Sequence, residues 1–123
     1  MTLSLTQIAQ LCSFAVLLAC GQILFKLSAS TLPPLASTAG LIALATNLWF
    51  WAALVLYGTA TLLWILILQQ VPLSAAYPFM ALGFVLVPAA SHFLFKEPLN
   101  LFYGLGVLLI IGGLGVIMTL ASK

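Results

Sequence analysis

The chain has 123 residues, of which 65% are hydrophobic and 3% are charged. A soluble globular domain carries roughly 25% charged residues, so this composition cannot build a water-facing surface. The formal net charge of +2 is too small and too dispersed for a nucleic-acid-binding patch. Because a transmembrane helix takes on the order of 20 residues, the length predicts an all-α, polytopic membrane protein of about four helices, with no room for an extramembrane catalytic domain.

The apolar segments predict a single four-helix transmembrane domain over residues 1–123. The first span is expected to end before a Ser/Thr/Pro-rich stretch, where Pro33 and Pro34 cannot continue a helix. Residues 40–46 are expected to extend the second span as a tilted or irregular lead-in. The predicted spans cover residues 7–27, 47–68, 73–95 and 101–120.

The stretch Leu-Leu-Ala-Cys at residues 17–20 resembles a bacterial lipoprotein cleavage box. The residues before it include no Lys or Arg, and the apolar run continues after it, so we expect a retained helix instead. Cys12 and Cys20 lie on roughly one face of that helix and are expected to be packing residues.

The charges leave the orientation in the membrane open. An even number of spans places Lys26 and Lys96 on one side, and Lys123 with the N-terminal amine on the other. Since positively charged short loops favour the cytoplasmic side, this near balance allows insertion in either direction.

Two polar residues of the first span lie on one helix face. Gln22 and Lys26 are four residues apart among small side chains, which predicts an inward-facing polar face. A lysine at the centre of a bilayer costs about 2.5–3.5 kcal/mol on insertion scales, so its presence needs a reason. One interpretation is that Lys26 extends from the helix end to the lipid headgroups. The other is that Lys26 binds the anionic headgroup of a ligand, to which Gln22 donates a hydrogen bond one turn deeper.

Aromatic and hydroxyl groups recur at helical spacing in the second and third spans. Tyr57, Thr61 and Trp64 share one face of the second span, and Tyr77 begins a similar face in the third. Such a face either lines a substrate path or serves only for packing, and both interpretations stay open.

Two prolines are expected to kink the third span. Pro78 cannot donate to the carbonyl of Ser74, and Pro88 cannot donate to that of Phe84. Exposed carbonyls and broken helices commonly line transporter sites, so this span is the expected wall of a transport path.

Glu97 carries the only carboxylate side chain of the sequence. Its position beside Lys96 suggests a surface ion pair, and a proton-coupling or amine-binding role is the alternative. His92 has no second ligand at metal-binding spacing and is expected to be a polar group near the membrane boundary. No catalytic constellation, phosphate loop or metal site is recognisable, so we predict neither an enzyme nor a cofactor.

The fourth span is rich in glycine. Gly106, Ile110 and Gly113 fall on one face, which allows a second helix to approach closely. This face is the predicted dimer contact, and close packing within the same bundle is the alternative. A dimer is expected because four helices are few for an enclosed transport path.

Four short motifs distinguish the sequence from a generic helix bundle. They are GQILFK at residues 21–26, VPLSAAYP at 71–78, KEPL at 96–99 and IIGG at 110–113. Together they resemble the small, EamA-like members of the drug/metabolite transporter superfamily, and most closely the Arn-type flippase subunits. The resemblance implies transport of undecaprenyl-phosphate-linked aminoarabinose across the bacterial inner membrane.

The same resemblance extends more distantly to the small multidrug resistance exporters. These are antiparallel dimers that use a glutamate of the first helix for proton-coupled efflux of cationic drugs. In this sequence Leu18 stands where the exporters have that glutamate, and Met80 stands where they have a tryptophan. Two of their tyrosines are matched by Tyr57 and Tyr77. With the coupling acid absent and Lys26 kept, the preferred ligand changes from a cation to an anion such as a lipid phosphate.

We therefore predict a half-transporter that flips a lipid-linked, phosphate-bearing sugar or a related amphiphile. Its expected partners are membrane lipid and a second subunit, in an antiparallel homodimer or a heterodimer with a similar chain. Export of cations or polyamines that depends on Glu97, and a non-transporting accessory role, are the alternatives. The predicted substrate-binding residues are Lys26, Gln22, Tyr57, Trp64, Tyr77 and Glu97.

Overall fold

The computed structural model describes residues 3–121, and all their regular secondary structure is helical. Four segments are long and apolar enough to cross a membrane, which confirms the predicted all-α, four-helix membrane fold. These segments are Leu5–Thr31, Leu48–Leu68, Leu73–Phe95 and Leu101–Thr119. The assignment of residues 1–123 to one domain and the exact membrane boundaries stay predictions, and Lys123 lies outside the described residues.

The described part of the chain forms six α-helices, one 3₁₀ helix and one π-helix. In chain order the α-helices are α1 (Leu5–Thr31), α2 (Thr38–Ala45), α3 (Leu48–Leu68), α4 (Leu73–Ala76), α5 (Gly83–Phe95) and α6 (Leu101–Val116). A 3₁₀ segment, Tyr77–Leu82, joins α4 to α5, and a π-helical segment, Ile117–Ala121, follows α6.

Helix α1 is longer than the predicted first span at both ends. It starts with a capping box, in which the Ser4 hydroxyl accepts from the Gln7 backbone N–H at 3.1 Å and the Gln7 side chain accepts from the Ser4 N–H at 2.9 Å. At the other end, the hydroxyls of Ser30 and Thr31 donate to backbone carbonyls three residues earlier, each at 2.9 Å. The helix then ends at Leu32, which is extended because it precedes Pro33.

Residues 40–46 do not form an irregular lead-in to the second span. Residues 40–45 belong to the separate helix α2, which is capped by the Ser37 hydroxyl, and Thr46 follows it as the C-cap. Asn47 then starts α3, because its side chain accepts from the Phe50 N–H at 3.0 Å while its backbone is extended. The Asn47 amide also donates to the Thr31 hydroxyl at 3.0 Å, which ties the start of α3 to the end of α1.

Helices α1 and α3 make the most extensive contact in the fold. Phe14 stacks on Trp64 with ring centroids 4.7 Å apart, and Phe25 lies against Tyr57 at 5.1 Å. The hydrophobic core continues from this contact towards the turn between α3 and α4. Its buried members are Leu11, Phe14, Ala60, Ile67, Val71, Ala76 and Phe79. Both cysteines lie on the exposed surface of α1 instead of in this core, so their predicted packing role is wrong within the single chain.

The third span is broken at Pro78 but continuous through Pro88. The backbone tightens to a 3₁₀ helix at Pro78, which lies at the start of that segment and has no N–H for an α-helical bond. Helix α5 then runs through Pro88 and ends at Lys96, whose φ of 55° and ψ of 33° place it in the left-handed region. The Lys96 N–H donates to the Ser91 carbonyl, and the Glu97 N–H reaches the same carbonyl at 3.5 Å.

Helix α6 belongs to the segment Leu101–Thr119, which is the least buried of the four membrane-spanning segments. It contacts α5 and the 3₁₀ segment, and none of its residues is buried. At Gly106 and Gly113 a side-chain Cβ would meet no other atom within 4 Å. The alternative of close packing of these glycines inside the same bundle is therefore wrong for the described residues.

The left-handed residue Lys96 gives a prediction about stability. A non-glycine residue in this conformation is strained, and glycine is preferred where a helix ends in this way. We expect Lys96→Gly to be about 0.5–1 kcal/mol more stable than Lys96→Gln, since both remove the charge but only glycine relieves the strain. The free energy of unfolding in mixed detergent micelles measures this difference. Equal stability of the two variants would contradict the prediction.

Candidate functional site

An open cleft of about 340 Å³ lies between α1, α3, the 3₁₀ segment and α5. It begins one turn beyond the buried core along α1 and is lined mainly by apolar side chains. Gln22 and Tyr57 are the polar side chains of its lining. The lining residues are Leu18, Ala19, Gln22, Tyr57, Met80, Gly83, Phe84, Val87 and Pro88.

A glycine places the Tyr57 ring in the cleft wall. A Cβ at Gly21 would overlap the ring of Tyr57, so the absence of a side chain allows this ring to lie directly on α1. Phe25, one turn further along α1, also packs against this ring. In this position the Tyr57 hydroxyl accepts a hydrogen bond from the Gln22 side-chain amide. The structure therefore brings together two predicted site residues that lie 35 positions apart in the sequence.

Both positions that depart from the multidrug exporter pattern line this cleft. Leu18 and Met80 are half-buried and contribute apolar surface to it. In the resemblance, those two positions carry the coupling glutamate and a tryptophan. The substitution at Leu18 thus removes a carboxylate from the cleft itself, and no acidic side chain lines this cleft in the described part of the chain.

The backbone carbonyl freed by Pro88 receives a partner from α6. Pro88 has no N–H to donate to the carbonyl of Phe84. Instead, the hydroxyl of Tyr103 donates to that carbonyl at 3.0 Å. Since Phe84 and Pro88 both line the cleft, this bond fixes α6 to the cleft wall. The sequence indicated the free carbonyl but did not identify Tyr103.

One ion pair lies beyond the cleft. The Nζ atom of Lys26 is 3.7 Å from the Oε1 atom of Glu97, so the turn between α5 and α6 is linked to α1. Lys26 is one helical turn from Gln22 and does not itself line the cleft. About half of each side chain is exposed, 52% for Lys26 and 45% for Glu97. The ion pair expected between Glu97 and its neighbour Lys96 does not form; the partner is Lys26.

His92 fixes the turn that carries Glu97. Its Nδ1 atom lies 2.8 Å from the Glu97 backbone carbonyl, which can only accept a hydrogen bond. The ring is therefore protonated at Nδ1 when this bond forms. This position at the end of α5 gives the histidine a structural role in the loop.

Two predicted site residues lie elsewhere. Trp64 stacks on Phe14 against the core and does not line the cleft, so its contact supports the packing interpretation. Tyr77 is 58% exposed at the start of the 3₁₀ segment, also outside the cleft lining. The structure thus groups Gln22 with Tyr57, and Lys26 with Glu97, and leaves these two aromatic residues apart.

The contact between Gly21 and Tyr57 can be tested with an alanine substitution. We expect Gly21→Ala to destabilise the fold by about 1–3 kcal/mol, because the added methyl group displaces the Tyr57 ring. Gly58→Ala is the matched control, since a Cβ there meets no atom within 4 Å and both substitutions gain the same helix propensity. Unfolding monitored by circular dichroism in micelles gives both values. If Gly21→Ala is as stable as Gly58→Ala, the close contact does not exist.

The bond between Tyr103 and the Phe84 carbonyl can be observed directly. Phe84 and Val85 form the only Phe-Val pair in the sequence, so ¹³C-carbonyl phenylalanine with ¹⁵N-valine labels a single peptide group. We expect Tyr103→Phe to move the Phe84 carbonyl resonance upfield and to destabilise the fold by about 0.5–1.5 kcal/mol. Tyr77→Phe serves as the control, because the described part of the chain gives its hydroxyl no partner. An unchanged carbonyl resonance in Tyr103→Phe would rule out the bond.

Comparison with known proteins identifies relatives of this chain. It is 44% identical over 69 residues to the probable 4-amino-4-deoxy-L-arabinose-phosphoundecaprenol flippase subunit ArnE of Pseudomonas fluorescens strain Pf0-1, with 56% of this chain and 60% of the relative covered. The protein of the same name from Enterobacter sp. strain 638 is 49% identical over 70 residues, covering 55% and 65%. That from Sodalis glossinidius strain morsitans is 46% identical over 65 residues, covering 53% and 59%.

The alignments cover between 59% and 65% of the length of these three relatives. No family model matches the sequence, and no solved structure matches it. The names of the relatives describe subunits that flip a lipid across a membrane, and not enzymes, in agreement with the sequence prediction. The similarity confirms the resemblance of this multi-pass membrane chain to the Arn-type flippase subunits that its motifs predict.

Proposed function

We propose that this chain is a subunit of a transporter that flips a lipid-linked, phosphate-bearing sugar of the undecaprenyl-phosphate type, or a related amphiphile. The bacterial inner membrane is its proposed location. The names of the relatives support the transport class and the lipid-linked sugar. The single observation that carries the proposal is the arrangement of Lys26 one turn beyond an apolar cleft that holds Gln22 and Tyr57.

This arrangement suits an amphiphile that is polar at one end only. Burying an isolated charge in the hydrocarbon layer is costly. A site for a negatively charged headgroup therefore needs a positively charged side chain close to it. Lys26 supplies it, and about half of its side chain is accessible. The Gln22 amide and the Tyr57 hydroxyl can bind sugar hydroxyls, while the prenyl tail stays among the apolar side chains and lipid.

The proposed assembly is a dimer of two similar subunits, either antiparallel copies of this chain or this chain with a related partner. Helix α6 supports it, because its Gly106, Ile110 and Gly113 face has no tightly packed neighbour within the described residues. Small residues on such a face let two helices approach closely in a membrane. The cleft is open in the single chain, so a second subunit would complete its enclosure.

The cleft does not favour proton-coupled export of cations. Leu18 occupies the position of the coupling acid, and Glu97 is paired with Lys26 outside the cleft lining. A cationic drug bound in the cleft would therefore find no carboxylate among the described lining residues. The lipid flippase is accordingly the function that we propose.

Substitution of Lys26 tests this function in reconstituted vesicles. We expect Lys26→Ala to lower the rate of headgroup translocation about tenfold to a hundredfold, since a hydrogen bond to a charged group contributes about 1.5–3 kcal/mol. The assay follows the exposure of a prenyl-phosphate-linked sugar to a membrane-impermeant oxidant. It uses the chain together with any subunit that co-purifies with it.

Two matched variants control for charge and folding. Lys26→Arg keeps the cation and should retain most of the rate, and Lys96→Ala removes a lysine from the same end of the bundle and should leave the rate unchanged. Translocation at the normal rate in Lys26→Ala would refute the proposed function.

A further inference from the structure

Helix α2 is an apolar element that neither spans the membrane nor contributes to the hydrophobic core. Its eight residues extend over about 12 Å, far less than the hydrocarbon layer of about 30 Å. Apart from Thr38, the helix consists of Ala, Gly, Leu and Ile. Leu41 and Ile42 are 58% and 62% exposed on one side of it. Because a helix that is apolar on all sides needs cover on each of them, something outside the described residues covers this side.

The chain around α2 carries no charge. No Asp, Glu, Lys or Arg occurs between Lys26 and Lys96, so α2 and the loops on both sides of it have no charged side chain. Leu35 before α2 and Leu48 after it are exposed as well. The apolar surface of α2 therefore continues into that of α3, which belongs to a membrane-spanning segment. The lipid that surrounds α3 would accordingly also reach α2.

The C-terminal carbonyl groups of α2 are satisfied inside the chain. The last four carbonyls of an α-helix have no partner within the helix itself. Here the Thr46 hydroxyl lies 3.3 Å from the Ile42 carbonyl and 3.2 Å from the Ala43 carbonyl and donates to them. The Asn47 N–H donates to the Leu44 carbonyl at 3.1 Å. Three of the four groups are thus satisfied by the two residues that follow the helix.

The fourth carbonyl of this helix end receives a side chain from α3. The indole N–H of Trp51, in the first turn of α3, donates to the Ala45 carbonyl at 2.7 Å. No carbonyl at the end of α2 therefore needs water. A helix in contact with water has no use for this complete closure, whereas in hydrocarbon an unsatisfied carbonyl is costly.

The N-terminal side of α2 is closed in part. The Ser37 hydroxyl accepts from the Gly40 N–H at 3.0 Å, and the Ser37 carbonyl accepts from the Leu41 N–H at 3.2 Å. The preceding Pro33 and Pro34 have no N–H groups to satisfy. Hydroxyl groups in and beside this loop remain exposed, which suits the level of the lipid headgroups.

A second protein subunit is the weaker candidate for the cover of α2. Its exposed side offers two large apolar residues and no charge that could pair with a specific partner. A stable subunit interface buries about 800 Å² on each partner, which is more than one side of an eight-residue helix provides.

We infer that α2 is an interfacial membrane helix, with Leu41 and Ile42 against the lipid acyl chains and its N-terminal loop among the headgroups. Its partner is the bilayer itself. This placement does not depend on the proposed function. Because the bond between Asn47 and Thr31 ties the end of α1 to this region, it also sets the depth of Lys26. Lys26 lies five residues before the end of α1, or about 7.5 Å further towards the membrane interior.

Nitroxide labels measure the depth of α2. Cys12 and Cys20 are replaced by alanine, and a single cysteine is introduced as Leu41→Cys or Ile42→Cys in the full chain, reconstituted in phosphatidylcholine–phosphatidylglycerol vesicles. Collision of the label with oxygen reports the acyl layer, and collision with a water-soluble nickel chelate reports water. We expect strong collision with oxygen, weak collision with nickel, and a depth of about 5–10 Å below the headgroup boundary.

Two reference positions calibrate the result. Leu62→Cys, on the exposed surface of α3, represents lipid, and Leu99→Cys, in the charged turn at the same end of the bundle, represents water. Nickel collision on α2 as strong as at Leu99→Cys would place the helix in water and overturn the interfacial placement. Weak collision with both reagents would place α2 against a second protein chain and would overturn it equally.

Substitution of Trp51 tests the role of the closed carbonyls. Trp51→Phe leaves the Ala45 carbonyl without its donor, so we expect the label of Ile42→Cys to move towards water. One lost hydrogen bond corresponds to about a two- to tenfold rise in its collision with nickel. Trp49→Phe is the matched control, because the described residues give the Trp49 indole no partner. An equal change in both variants would refute the role of this bond, and circular dichroism establishes that each variant is folded.

Discussion

The contact between Gly21 on α1 and Tyr57 on α3 determines how the rest of the bundle is arranged. The missing side chain of Gly21 lets the tyrosine ring lie on the α1 backbone, where Phe25 also packs against it. This approach brings the Tyr57 hydroxyl to the Gln22 amide, and both side chains line the cleft. Without it, two polar groups in a largely apolar chain would each lack a partner in the bilayer, where an unsatisfied hydrogen-bonding group is costly.

The broken third span forms the opposite wall of the cleft. Pro78 tightens the backbone into a 3₁₀ segment, and Pro88 frees the Phe84 carbonyl, which then accepts from Tyr103. Helix α6, which buries no residue of its own, is thereby attached to the cleft wall by a polar bond.

The electrostatics of the bundle depend on very few groups. Leu18 and Met80 contribute apolar surface to the cleft, and the ion pair between Lys26 and Glu97 lies beyond it. Along α1 the order is therefore buried core, apolar cleft with Gln22, and then an accessible ion pair. The amphiphile that we propose as substrate has the same gradient of polarity from tail to headgroup.

The sequence by itself determined the four apolar helices, the break at Pro78, the polar face of Gln22 and Lys26, and the resemblance to flippase subunits. The helices, the break and the polar face follow from composition, periodicity and local backbone chemistry, which act over a few neighbouring residues, whereas the resemblance comes from four short motifs shared with a known family. The tertiary structure alone decided that Glu97 pairs with Lys26 and not with Lys96, that Tyr103 reaches Phe84, and that Trp64 packs while Tyr57 lines the cleft. Each of these contacts depends on the position and rotation of one helix relative to another. Close packing between helices, as between Gly21 and Tyr57, sets that position. A pattern along a single helix does not contain this information.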